Sequence, residues 1–247
     1  MRLSMNKRDW FLHPAFYAAM VLYFLAGYST LGYGEQWAPF FYLEDHYFEN
    51  VGAVSLFLAS ALMFYVFVRT LQTWVATKTH WLKILIYLGM ALLFFFGAGE
   101  EISWGQRIFN ISEPPDLAKI NRQDELNVHN IVVNGTQIPF DQMFYVFWLI
   151  VTVVIPVACS YKESFNQFAS KFMPVIHWGI GGLFVFNYLA AHLAKPIYVA
   201  GYTFRDIEFP QAVQEVKESN YELLCVVIGL YILWDLMRLI REKSGVQ

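Results

Sequence analysis

The sequence predicts an all-α fold, a polytopic integral membrane helix bundle, and three observations carry that reading. Of the 247 residues, 57% are apolar, 19% aromatic and only 15% charged, against about 45–50% apolar and about 25% charged in an average soluble domain. The mean hydropathy is +0.40. Six stretches approach the ~20 apolar residues that a bilayer core demands of one helix, and no segment alternates with period 2 as a membrane β-barrel would. This composition excludes a disordered chain, a collagen, a disulfide scaffold and a soluble nucleic-acid binder. The chain reads as one transmembrane domain over 1–247.

The first span, 15–33, follows Arg2, Lys7 and Arg8 and has no small-residue cleavage site after it, so it reads as a retained helix rather than a signal. The second and third spans are 51–71 and 81–98. The third is short if it stops at the first glutamate, so its helix is expected to run past Glu100. The fourth span, 142–161, contains Pro156, and the fifth, 175–195, contains Gly179, Gly181 and Gly182. Membrane helices tolerate such residues where they pack closely or bend. The sixth span is 221–240. An outer loop, 99–141, separates the two halves and is expected to carry an interfacial helix over 116–130.

Lysine and arginine set the orientation. With the N-terminus inside, eleven of the 17 Lys and Arg residues fall on inner segments, whereas sixteen of the 20 acids fall outside. The expectation is N-in and C-in with an acidic outer face. Cys159 and Cys225 map to opposite membrane depths, which argues against a disulfide. There is no nucleotide-binding glycine motif and no haem-attachment motif. The two halves show no internal repeat of the kind that marks many transporters.

The outer ends of the helices hold the candidate chemistry. If the third helix continues, Glu100, Trp104 and Arg107 share a face at i, i+4 and i+7, and Glu101 points about 100° away. Adjacent glutamates ending an apolar helix suit an acid/base pair or metal ligands, or else a glutamate–arginine pair beside an interfacial tryptophan. A helix over 116–130 places Asn121, Glu125 and His129 on one face. That E-x-x-x-H spacing serves a metal ion, a carboxylate–imidazole pair, or an ordinary wet surface. His192 closes the fifth span, with Asn187 about one turn deeper. Gln211, Glu215, Glu218 and Glu222 form an acidic stripe entering the sixth, and Glu222 is expected to face the bundle. On the inner side, Asp235 and Arg238 read as a structural ion pair.

The expected site therefore has Glu100, Glu101, Arg107 and Glu125 as catalytic residues and His129, His192 and Glu222 as metal ligands. Zinc or another divalent ion is the expected cofactor, and the lipid bilayer and other membrane proteins are the expected partners, with no nucleic acid. A metal-dependent hydrolase or transferase acting on a lipid-like or membrane-proximal substrate is the leading functional expectation. A non-enzymatic accessory or scaffold subunit is the alternative, and a small-solute transporter the third.

Two strings, Gly99-Glu100-Glu101-Ile102-Ser103-Trp104-Gly105-Gln106-Arg107-Ile108-Phe109 and Asn121-Arg122-Gln123-Asp124-Glu125-Leu126-Asn127-Val128-His129-Asn130, resemble a motif pair of a family of uncharacterised bacterial polytopic inner-membrane proteins. The resemblance implies the bacterial inner membrane, with the acidic loops on the periplasmic side. The chain is more weakly similar to the membrane-bound ceramidase and adiponectin-receptor-like hydrolases, whose zinc site near one membrane face uses histidines and an acid. It lacks their paired histidines in the last helix. It also departs from the Glu-Glu-x-x-x-Arg motif of CAAX-type intramembrane proteases, because Arg107 stands six residues after Glu101 rather than four.

Overall fold

Local capping chemistry explains where the first helices begin and end. The computed structural model describes residues 13–33, 35–42, 46–106, 108–112, 114, 132–133, 136–137, 140–199 and 209–244. Helix α1 (Pro14–Ser29) starts on a proline, whose missing N–H is no loss in a first turn, and His13 Nδ1 accepts from the Ala15 N–H at 3.2 Å. The short α2 (Ala38–Tyr42) returns the chain to α3 (Tyr47–Thr77), which runs for 31 residues. Lys78, at φ 52°, stops α3 in the left-handed conformation. Only Lys78, Thr79 and His80 separate α3 from α4 (Trp81–Glu101), and the His80 ring caps α4 by accepting from the Leu82 N–H.

Helix α5 (Phe140–Leu149) passes through a π-helical turn (Ile150–Val154) into α6 (Ile155–Tyr161). Pro156, where close packing or a bend is expected, follows this π-helical turn. Proline cannot donate to the carbonyl four residues back, and one wide turn absorbs the mismatch. The amphipathic α7 (Glu163–Phe172) follows, a helix with Phe165, Phe168 and Phe172 spaced along it that hydropathy alone does not single out. Then come α8 (Trp178–Val199) and α9 (Phe209–Ser244), the longest element at 36 residues. At 1.5 Å per residue α9 is roughly 54 Å long, more than a ~30 Å hydrocarbon core requires.

The expected spans fall largely on helices, although the fifth, 175–195, becomes helical only at Trp178. Five helical stretches are long and apolar enough to cross a membrane, within residues 14–32, 38–77, 81–101, 142–161 and 210–243. The fifth expected span corresponds to α8, whose described length, interrupted by Asn187, His192 and Lys195, falls short of the apolarity of the other five. From the loop 99–141 the structure describes a two-residue antiparallel ladder, β1 (Val132–Val133) with β2 (Thr136–Gln137), which pairs Val132 with Gln137 and Val133 with Thr136. The helix expected over 116–130 lies outside the described residues.

Helix α3 is the centre of the bundle, packed most extensively against α9 and α4. It runs antiparallel to α4, with Ser60 donating to the Ala91 carbonyl at 2.9 Å near mid-length and Leu56 against Gly97 towards one end. It runs parallel to α9, with Gly52 against Glu222 and Leu62 against Gly229. Helices α1 and α8 are parallel too, since Tyr17 meets His177 and Tyr28 meets Asn187. The apolar core lies along these seams and includes Phe24, Met63, Phe94, Trp148, Leu224 and Ile228. This topology gathers the end of α1, the start of α3, the end of α4, the later part of α8 and the early part of α9 at one end of the bundle. Four of the seven candidate residues, Glu100, Glu101, His192 and Glu222, belong to those segments.

Candidate carboxylate site at one end of the bundle

Helix α4 ends at Glu101, and the turn that ends it decides where the two glutamates go. Ser103, Trp104 and Gly105 all adopt positive φ, at 46°, 53° and 75°. Three successive left-handed residues reverse the chain at a conformational cost, because a side chain beyond Cα crowds that region. The reversal folds the Trp104 indole back over α4, and its Nε1–H donates to Glu100 Oε1 at 2.6 Å. The ring also covers Gly99, where a Cβ would stand 2.9 Å from it. The expected Glu100–Trp104 proximity is thus present, but a reversed turn makes it rather than a continued helix. Glu100 is buried under this latch.

Glu101, one residue on, faces α9 and is in side-chain hydrogen-bond contact with Glu222. Glu222 is only 7% exposed. Its carboxyl lies against the backbone of α3 at Gly52, where a Cβ would stand 2.7 Å from Glu222 Cδ. Any side chain at 52 would occupy the space that the carboxyl uses. Among the described residues Glu222 Oε2 is buried and has no hydrogen-bond partner. Two carboxyl oxygens in contact require a positive charge between them, either a proton or a bound cation. Glu49 and Glu218 act electrostatically on both members of the pair, and Glu215 acts on Glu222.

The other side of α9 supplies a neutral polar network and one buried cation. Asn187 is fully buried, and its Oδ1 accepts from Tyr28 Oη at 2.8 Å and from Asn220 Nδ2 at 3.0 Å. Its Nδ2 donates to the Lys217 carbonyl at 2.8 Å. Every capacity this amide uses ties α8 to α1 or α9. The Lys217 ammonium is also buried, 4.8 Å from the Tyr145 ring centroid, and donates to Gln214, which in turn donates to Glu218.

Of the expected site residues, the structure brings Glu101 and Glu222 together, while the Glu100 carboxyl is engaged by the Trp104 indole. His192 stands apart from the pair, exposed on α8, with its ring 4.3 Å from that of Tyr188. Arg107, Glu125 and His129 lie outside the described residues. Among the described residues no three His, Cys, Asp or Glu side chains are grouped to hold a metal ion. Sequence reading passes over Glu49, Gly52, Lys217 and Asn220. Glu49 sits at the start of an apolar helix just as Glu222 enters one, a signal that was available. Gly52 carries no chemical group, so only the packing reveals it.

The two cysteines, Cys159 and Cys225, are buried free thiols. At the other end of the bundle Arg238 donates to Asp235 at 2.6 Å, as expected, with both side chains partly exposed. No protein-family model, curated protein or solved structure matches this chain.

Proposed function

We propose that this chain is a membrane-embedded hydrolase or transferase whose centre is the Glu101–Glu222 carboxyl pair, acting on a lipid-like or membrane-proximal substrate. The observation that supports it is the contact of two carboxyls from helices 121 residues apart in sequence, one of them 7% exposed. Ionisable groups inside a membrane bundle are costly to place and mark function by default. A purely structural pair would more economically match an acid with a base, as Asp235 and Arg238 do.

The pair can activate water or a substrate hydroxyl in two ways: by taking its proton directly, or by holding a metal ion that lowers its proton affinity. Glu49, Glu215 and Glu218 keep this end of the bundle negative. An aromatic collar beside it, with Tyr33, Trp37, Phe40 and Tyr47 all exposed, matches the belt that membrane proteins place at the lipid–water boundary. The pair then lies at head-group depth. In this reading that end faces the periplasm of a bacterial inner membrane.

The test is lipid turnover. Purified protein is reconstituted into phosphatidylethanolamine–phosphatidylglycerol vesicles, and the lipids are profiled by mass spectrometry over time. Wild type is expected to convert at least one species, and Glu222→Gln and Glu101→Gln, both still folded, to convert none. An unchanged profile with wild type, or conversion that survives both substitutions, overturns the proposal.

A further inference from the structure

We infer that Glu101 and Glu222 form a binding site for a hard divalent cation of the magnesium class. The donors decide the class. Everything the pair offers is carboxylate oxygen, and no histidine or cysteine joins it in a ligand group among the described residues. Zinc sites take most of their ligands from histidine and cysteine, with a carboxylate as at most a supplement. Magnesium keeps several of its waters and is typically held by one or two carboxylates, which is the number this site brings together.

Two further observations point to a cation. Glu222 Oε2 is buried without a hydrogen-bond partner among the described residues, and an uncompensated carboxylate oxygen is costly in an apolar bundle. A metal ion shared with Glu101 supplies the missing interaction. Glu49 and Glu218 act electrostatically on both carboxyls and Glu215 on Glu222. They provide the negative potential that draws a divalent ion to a site with few direct ligands. Gly52 leaves the Glu222 carboxyl room against α3, and Glu101 meets that carboxyl from α4.

This inference deepens the reading above but is measured without turnover. Detergent-solubilised protein is stripped with chelator and titrated with Mn²⁺, with free Mn²⁺ followed by electron paramagnetic resonance and Mg²⁺ used as competitor. Wild type is expected to bind one Mn²⁺ per chain saturably and to release it to Mg²⁺. Glu222→Gln and Glu101→Gln are each expected to weaken binding at least tenfold, and Asp235→Asn, at the opposite end of the bundle, to leave it unchanged. Glu101→Gln, at the less buried member, keeps the test decisive if Glu222→Gln fails to fold. The absence of saturable binding, or binding unaffected by Glu101→Gln, overturns the site. Saturable binding without lipid conversion would overturn the enzymatic reading and leave the metal site standing.

Discussion

The Glu222 carboxyl and the Gly52 backbone occupy one space: a Cβ on Gly52 would lie 2.7 Å from Glu222 Cδ. The closeness of α3 and α9 at this end therefore depends on a missing side chain. Gly52→Ala is expected to destabilise the protein by about 1–3 kcal/mol, the usual cost of overpacking a filled site. Adding Glu222→Ala removes the obstructing carboxyl, so the double variant is expected to be more stable than the sum of the two single changes predicts. Thermal unfolding of the four proteins in one detergent measures the coupling. Strict additivity would show that the two residues do not share the space.

The Trp104–Glu100 hydrogen bond is the side-chain latch on a turn whose backbone is strained at Ser103 and Trp104 and relieved by Gly105. Trp104→Phe keeps an aromatic ring over Gly99 but removes the donor. Because Trp104 is 40% exposed, the expected cost is near the lower end for a bond to a carboxylate, about 1–2 kcal/mol. For a chain of this size that corresponds to an unfolding midpoint lower by several degrees. The same substitution is expected to weaken Mn²⁺ binding, since the turn begins one residue after Glu101. Unchanged stability and binding would remove the latch from the account of the site.

The helices were legible in the sequence because membrane burial writes itself into long apolar runs, and those runs fall largely on helices. The acidic helix ends were legible for the same reason, since charges stand out against that background. The pairing within the site was harder to read. Glu100 and Glu101 are neighbours of similar character, and whether α4 continues or reverses decides which meets α9. Three left-handed residues make that decision, and nothing in hydropathy announces them. Glu222 was expected to face the bundle because apolar residues follow it at once, and it does. Its partner and the glycine behind it depend on the parallel packing of α3 and α9, which no local pattern encodes.

Asp235 and Arg238 offer the contrasting case of an exposed pair. Their side chains are 43% and 49% exposed, and Arg238 also lies over the Trp234 ring. Exposed ion pairs contribute little net stability, about 0.2–1 kcal/mol. Asp235→Asn is expected to shift the unfolding midpoint no more than that, and less at high salt. A loss comparable to that of Gly52→Ala would show that this end of the bundle is organised around a buried charge after all.

Asn187 is the polar residue on which three helices converge, and its environment makes a graded prediction. Replacing it with leucine keeps similar volume but leaves Asn220 Nδ2 and the Lys217 carbonyl to seek other partners in a buried setting, and Tyr28 Oη with only its 3.2 Å bond to the backbone carbonyl of residue 187. Each buried group left unsatisfied costs roughly 1–3 kcal/mol, so Asn187→Leu is expected to be among the most damaging single changes in the bundle. Tyr28→Phe removes one donor, and Asn220 still donates to Asn187 Oδ1, so its expected cost is only about 1 kcal/mol. The order Asn187→Leu well beyond Tyr28→Phe, read from unfolding midpoints in the same detergent, checks the network directly. Equal effects would mean that the Tyr28 hydroxyl, rather than the amide, carries the junction of α1, α8 and α9.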